Sequence, residues 1–172
     1  MCTTSGRGLW KNKIYHFDPN HPPSSGGDEL QSEFFILYED IVEVLEAIYA
    51  IAPQIKEFAQ IMEIRPVKAD DFLMSPAYGK NVTGIHFTWY KKEKEVKQSI
   101  LLVQKQIEKY LVSVHWGKIF LFDKVKINKL YKEQILEFKK LQKKMDPRSV
   151  FVNSYFIEKF GCLLYTSPSP RD

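Results

Sequence analysis

Cysteine is scarce in this sequence: two in 172 residues, Cys2 and Cys162, one near each end. Two distant thiols make neither a disulfide framework nor a metal site. They suit a reducing, cytoplasmic setting. Long apolar runs are also missing, since none approaches the ~20 residues of a membrane span. The first residues are polar and lack an apolar segment, so no signal peptide is read. Charge of one sign is modest. The formal net charge is +4, and the lysines are spread along helix-like segments rather than blocked together. A nucleic-acid footprint is not indicated by that pattern. Neither nucleic acid nor membrane is expected as a partner. No G-x-G-x-x-G and no P-loop occurs. His16, His21, His86 and His115 lack metal-ligand spacing, so no metal is expected.

What is present suffices for one globular domain with a proper core. Residues 1–28 are loop-like, and "PNHPPSSGGDE" is a turn and linker signal. "LQSEFFILY" (30–38) alternates and is aromatic-rich, which predicts a strand. Ile41, Val44, Leu45 and Ile48 form a helical stripe over 40–52. "AQIMEIRPV" (59–67) reads as a strand that Pro66 ends or leaves at an edge. A long irregular loop covers 68–81, and "VTGIHFTWY" (82–90) is a further strand. Val96, Ile100, Val103 and Ile107 repeat at helical spacing over 93–110. "LVSVHW" (111–116) predicts a fourth strand. A Lys-rich amphipathic helix follows at about 127–144, stopped by Asp146-Pro147. The order β-α-β-β-α-β plus a terminal helix predicts an α+β fold of the split βαβ, or ferredoxin-like, kind. Its antiparallel sheet carries the helices on one face.

Alternation then assigns faces. Ile85, Phe87 and Trp89 share one face of their strand, and His86, Thr88 and Tyr90 the other. Met62 and Ile64 share a face, opposite Ile61, Glu63 and Arg65. The apolar sets belong under the helices. Glu63, Arg65, His86 and Thr88 then project together from the uncovered face. A carboxylate that accepts and a guanidinium that donates in a fixed fork make a good clamp for vicinal hydroxyls. An exposed Glu–Arg pair on a solvated sheet is the blander reading, and such pairs are worth little. The stretch "VHWGK" (114–118) poses a related choice. Lys118 either points into solvent from a turn at Gly117 or adds a cation to the cluster.

The segments "PSSGGDELQSEFF", "EIRPVKADDFLMSPAYG", "IHFTW", "HWGK" and "DPRSVFVNSYF" together resemble the C-terminal, substrate-side part of FAD-linked alditol and sugar-1,4-lactone oxidases. That unit is the D-arabinono-1,4-lactone oxidase domain of vanillyl-alcohol-oxidase-type flavoproteins. The resemblance covers roughly residues 10–160, and "HFTW" after "EIR" is similar to the alditol branch. It implies that Glu63, Arg65, Thr88 and Lys118 line a polyol site. Arg65 and Lys118 would polarise the reacting oxygen, and His86 lies beside them as a possible general base. His115 is expected close to the flavin. Met62 stands where the family usually has a small residue, a change that core packing is expected to absorb.

The implied reaction is oxidation of an alditol or sugar-lactone hydroxyl, with hydride passing to flavin and then to oxygen to give hydrogen peroxide. The implied cofactor is FAD, held mainly by an N-terminal domain absent from this sequence. The fragment alone is then expected to be inactive. On this reading 1–28 is a linker segment and 29–161 the substrate-side domain. The string "CLLYTSPSPRD" (162–172) has no helical or strand logic and matches translated sequencing-adapter DNA. It is expected to pack against nothing. The alternative from another class is a ferredoxin-like nucleic-acid or small-ligand binding module without catalysis. RNA-recognition folds of this order present aromatics on the open sheet face. The assignment of Phe87 and Trp89 to the core argues against it.

Overall fold

The structure, a computed structural model, describes residues 27–161. The expectations for the N-terminal linker, save its last two residues, and for the 162–172 tail lie outside the described residues.

Among the described residues four strands and five α-helices follow in order: β1 (Glu29–Leu37), α1 (Ile41–Ile55), β2 (Ala59–Val67), β3 (Val82–Tyr90), α2 (Glu93–Ile107), β4 (Leu111–Val114), α3 (Lys124–Leu130), α4 (Lys132–Met145) and α5 (Ser154–Phe160). The strands form one sheet in the order β2-β3-β1-β4, and every neighbouring pair is antiparallel. This is an α+β fold with the expected β-α-β-β-α-β order through β4. Helix α1 buries Val44, Ile48, Ile51 and Ile55, one stripe at helical spacing. Helix α2 likewise buries Val96, Ile100, Val103 and Ile107. Both stripes close on Phe34, Ile36, Ile85, Phe87 and Trp89 of the sheet. Each such side chain contributes about 1.5–3 kcal/mol by leaving water. Trp89 also needs a partner for its indole N–H, and Ser32 Oγ accepts it at 2.9 Å.

The C-terminal region departs from the single helix expected over 127–144. Helices α3 and α4 are separate, broken at Tyr131. The phenol of Tyr131 is buried, donates to Val114 O and accepts from Val114 N–H. That anchorage fixes the break beside β4. Helix α5 was not expected at all. Its start is set by Asn153, whose side chain accepts from Phe156 N–H, and its stop by Gly161 at φ +81°. Phe160 brings α5 onto Trp116, with ring centroids 5.2 Å apart.

Two further expectations are corrected. Strand β4 ends at Val114, so His115 and Trp116 belong to the turn that follows. The cause is local: Lys118 N–H bonds to His115 O, and His115 Nδ1 accepts from Gly117 N–H. Met62 and Ile64 do lie on the helix side, yet they are 41% and 47% exposed. The helices pack over β1 and β3, and the outermost strand extends beyond them. Core packing therefore does not absorb Met62.

Candidate functional site

Register places the polar residues in rungs on the face away from α1 and α2. Glu33 of β1 and Glu63 of β2 both lie opposite His86 of β3. One rung on, Phe35 and Arg65 flank Gly84. One rung back, Gln31 and Ile61 flank Thr88. Part of this face is covered, because Ala77 of the 68–81 loop packs with Phe35, Val82 and Val112.

The turn after β4 brings Lys118 inward. Its ammonium donates to Glu33 Oε2 at 2.5 Å and meets His86 Nδ1 at 2.9 Å. Arg65 Nη1 lies 3.6 Å from the same Glu33 oxygen, while Arg65 Nη2 donates to Glu63. Two cations thus converge on one buried carboxylate, far inside the ~10 Å screening length of 0.1 M salt. His86 Nε2 meets Thr88 Oγ1 at 3.2 Å. An ammonium can only donate, so His86 Nδ1 accepts and the ring proton resides on Nε2, directed at Thr88. The Thr88 hydroxyl proton is then left to point at another acceptor.

The electrostatics follow from these contacts. Burial, and then the charges of Lys118 and Arg65, hold the His86 imidazole below its ordinary pKa. His115 is lowered by burial and then by Lys118. Glu63 is lowered chiefly by its hydrogen bond from Arg65. At neutral pH both imidazoles are neutral and Glu63 is ionised.

Glu63, Arg65, His86, Thr88 and Lys118 therefore share one face and a connected network. His115 stands beside it in the Gly117 turn, its Nδ1 already engaged. Sequence reasoning missed Glu33, which is 4% exposed and the hub of the cluster. Its signal was a lone acid before the Phe34-Phe35 pair, but only the β1–β3 register reveals that it faces His86. Gly84 was missed too. A Cβ there would lie 2.7 Å from Glu33 Oε1 and 3.0 Å from Phe35 Cε1, so glycine clears the space the carboxylate occupies. Phe87 and Trp89 give no stacking platform on this face, because they stack on each other in the core. A separate apolar groove of about 600 Å³ runs between α1 and β2, lined by Ile48, Tyr49, Ala52, Ile61 and Met62 among others. It does not include the polar cluster.

The D-arabinono-1,4-lactone oxidase family model matches residues 29–159. The chain is also 28% identical over 148 residues to an alditol oxidase of Streptomyces sp. (strain IKD472 / FERM P-14339), an alignment covering 86% of this chain. The chain belongs to the D-arabinono-1,4-lactone oxidase family, a family of FAD-linked oxidases. It spans about 35% of the length of that alditol oxidase. No described helix is long and apolar enough to cross a membrane.

Among the described residues the donor set suits a hydroxylated ligand better than a dinucleotide phosphate. No described helix opens on a glycine-rich turn. The residues before α1 to α5 are Asp40, Lys92, Asp123, Tyr131 and Asn153. The cluster also carries two carboxylates, which repel phosphate.

Proposed function

We propose that this chain is the substrate-side part of an FAD-dependent oxidase acting on a hydroxyl of an alditol or sugar-1,4-lactone. The observation that carries the reading is the convergence of Lys118 and Arg65 beside Glu63 and Thr88. FAD, when bound, would supply the hydride acceptor, and oxygen would leave as hydrogen peroxide carrying that hydride and the proton lost from the hydroxyl. The pyrophosphate of FAD is assigned to a part of the longer protein outside the described residues.

The side chains then divide the work. An ammonium has three N–H donors, and Glu33 and His86 account for two at Lys118. The third, with Arg65, stabilises the negative charge that develops on the reacting oxygen. Glu63 accepts from a neighbouring hydroxyl, and Thr88 donates to another oxygen. His86 is buried and both its nitrogens are engaged, so we assign it the orientation of Lys118 and Thr88 rather than the general-base role expected from sequence. His115 is placed at the junction with the flavin.

The test uses the full-length enzyme that carries this segment, assayed for peroxide with xylitol. Lys118→Met should lower kcat more than it raises KM, because the cation acts on developing charge. Glu63→Gln should mainly raise KM. Unchanged kinetics in both variants would overturn the reading. The 172-residue chain alone should purify without flavin absorbance and give no peroxide.

A further inference from the structure

Glu33 has no direct role in the reading above, yet both cations of the cluster reach it. A carboxylate withdrawn from water is tolerated only when paired and hydrogen-bonded. Lys118 supplies the hydrogen bond and Arg65 the second charge. Its other oxygen, Oε1, lies over Gly84, the one position on that rung where no side chain competes for the space. Three strands thus cooperate to seat a single acid: β1 carries it, β3 vacates room for it, and β2 brings Arg65 to it.

The consequence lies in the charge count. Arg65 and Lys118 bring two positive charges, and Glu33 and Glu63 bring two negative ones. His86 and His115 add none at neutral pH. The cluster is rich in donors and carries no net charge. Without Glu33 the same donors would carry a surplus positive charge on a partly buried face, which is a receptor for carboxylate or phosphate.

We propose, resting on the polyol reading, that Glu33, seated over Gly84, is a specificity-determining residue. It balances Arg65 and Lys118 so that the cluster takes an uncharged polyhydroxyl ligand and turns away the corresponding carboxylate. It also positions the Lys118 ammonium toward that ligand. Discrimination against a wrong ligand by placing like charge against it is a general device of specific sites.

The test titrates the full 172-residue chain and its Glu33→Gln variant with sorbitol and with gluconate, which differ by one acid group. The readout is the NMR shift of amides in 63–65, 84–88 and 115–118. Gln keeps an oxygen for Lys118 to donate to and removes only the charge. Wild type should show no saturable gluconate response. Glu33→Gln should gain gluconate affinity by about tenfold or more, as expected when a like charge is removed from a site. A folded Glu33→Gln with no such gain overturns the proposal, as does a wild type that binds gluconate as well as sorbitol. Should Glu33→Gln fail to fold, Glu63→Gln makes the same charge change at a more exposed position. It should gain several-fold, and no gain overturns the charge balance. A wild type silent to sorbitol counts against the polyol reading alone, since the gluconate gain is measured independently of it.

Discussion

On the face beneath α1 and α2, Phe34, Ile85, Phe87 and Trp89 occupy alternate positions of β1 and β3 and are almost fully buried. On the opposite face, Glu33 and His86 occupy the positions between them and are buried nearly as well, at 4% and 2% exposure. The two faces thus withdraw similar side-chain bulk from water by different physics. Apolar burial is non-directional and scales with area. Burial of Glu33 and His86 is favourable only while particular partners remain: Lys118 and Arg65 for the acid, Lys118 and Thr88 for the imidazole. Damage on the first face should scale with the volume removed. Damage on the second should depend on which partner is left alone.

The largest effect is expected on the apolar face. Trp89→Ala should cost about 3–5 kcal/mol in urea denaturation, from the cavity together with the orphaned Ser32 hydroxyl. Lys118→Met should cost less, about 1–3 kcal/mol, because Arg65 still faces the stranded Glu33 carboxylate. A loss equal to that of Trp89→Ala would erase the distinction between the faces.

A pH series sharpens it further. Both His86 and His115 have pKa values lowered in the folded protein from an ordinary 6.5. Below about pH 6.5 the unfolded chain therefore binds protons that the folded chain refuses, and stability falls with falling pH. The urea midpoint should drop between pH 7 and pH 5. The drop should be shallower in Lys118→Met, since that substitution removes a cation that disfavours imidazolium at both sites. An equally steep drop in the variant would sink this account of the histidines.

Gly84→Ala should cost about 1–2 kcal/mol, because the added Cβ would push on a carboxylate that Lys118 and Arg65 hold and would meet the Phe35 ring at 3.0 Å. Its effect should also appear as a displaced Lys118 ammonium signal by NMR. Smallest of all, Met62→Ser should stay within about 0.5 kcal/mol, as its exposure on the outer strand implies.

The apolar face was largely legible in the sequence because its signals are local. The stripes Val96-Ile100-Val103-Ile107 and Ile85-Phe87-Trp89 need only a period to be read. On the polar face, alternation alone put Glu63 with Arg65 and His86 with Thr88. Glu33 escaped because Arg65, His86 and Lys118 lie 32, 53 and 85 positions away, and only register and the turn after β4 join them to it. Lys118 lay beyond a strand end, where periodicity says nothing about direction. The family resemblance turned it inward, and the His115–Lys118 turn shows how the backbone does so. The split at Tyr131 was illegible for a similar reason, since a phenol that bonds a distant strand leaves no mark on helical spacing. Helix α5 is signalled by a cap and one turn of apolar residues, too short a stretch for a period to emerge.

Tyr131 has a consequence for assembly. Its hydroxyl engages both the amide and the carbonyl of Val114, so that an incoming strand would have to displace a docked helix to pair there. At the other end of the sheet, β2 has no described strand on its outer side and presents Ile61, Met62 and Ile64. Fibre growth by strand addition needs two free edges, so that each copy can be both acceptor and donor. Among the described residues Tyr131 occupies the Val114 position of one edge, and β2 is the edge with no strand beside it. Two copies meeting through β2 would use the same edge on both sides and leave no β2 edge for a third. The phenol that anchors a helix thus also stands in the way of a further strand at Val114.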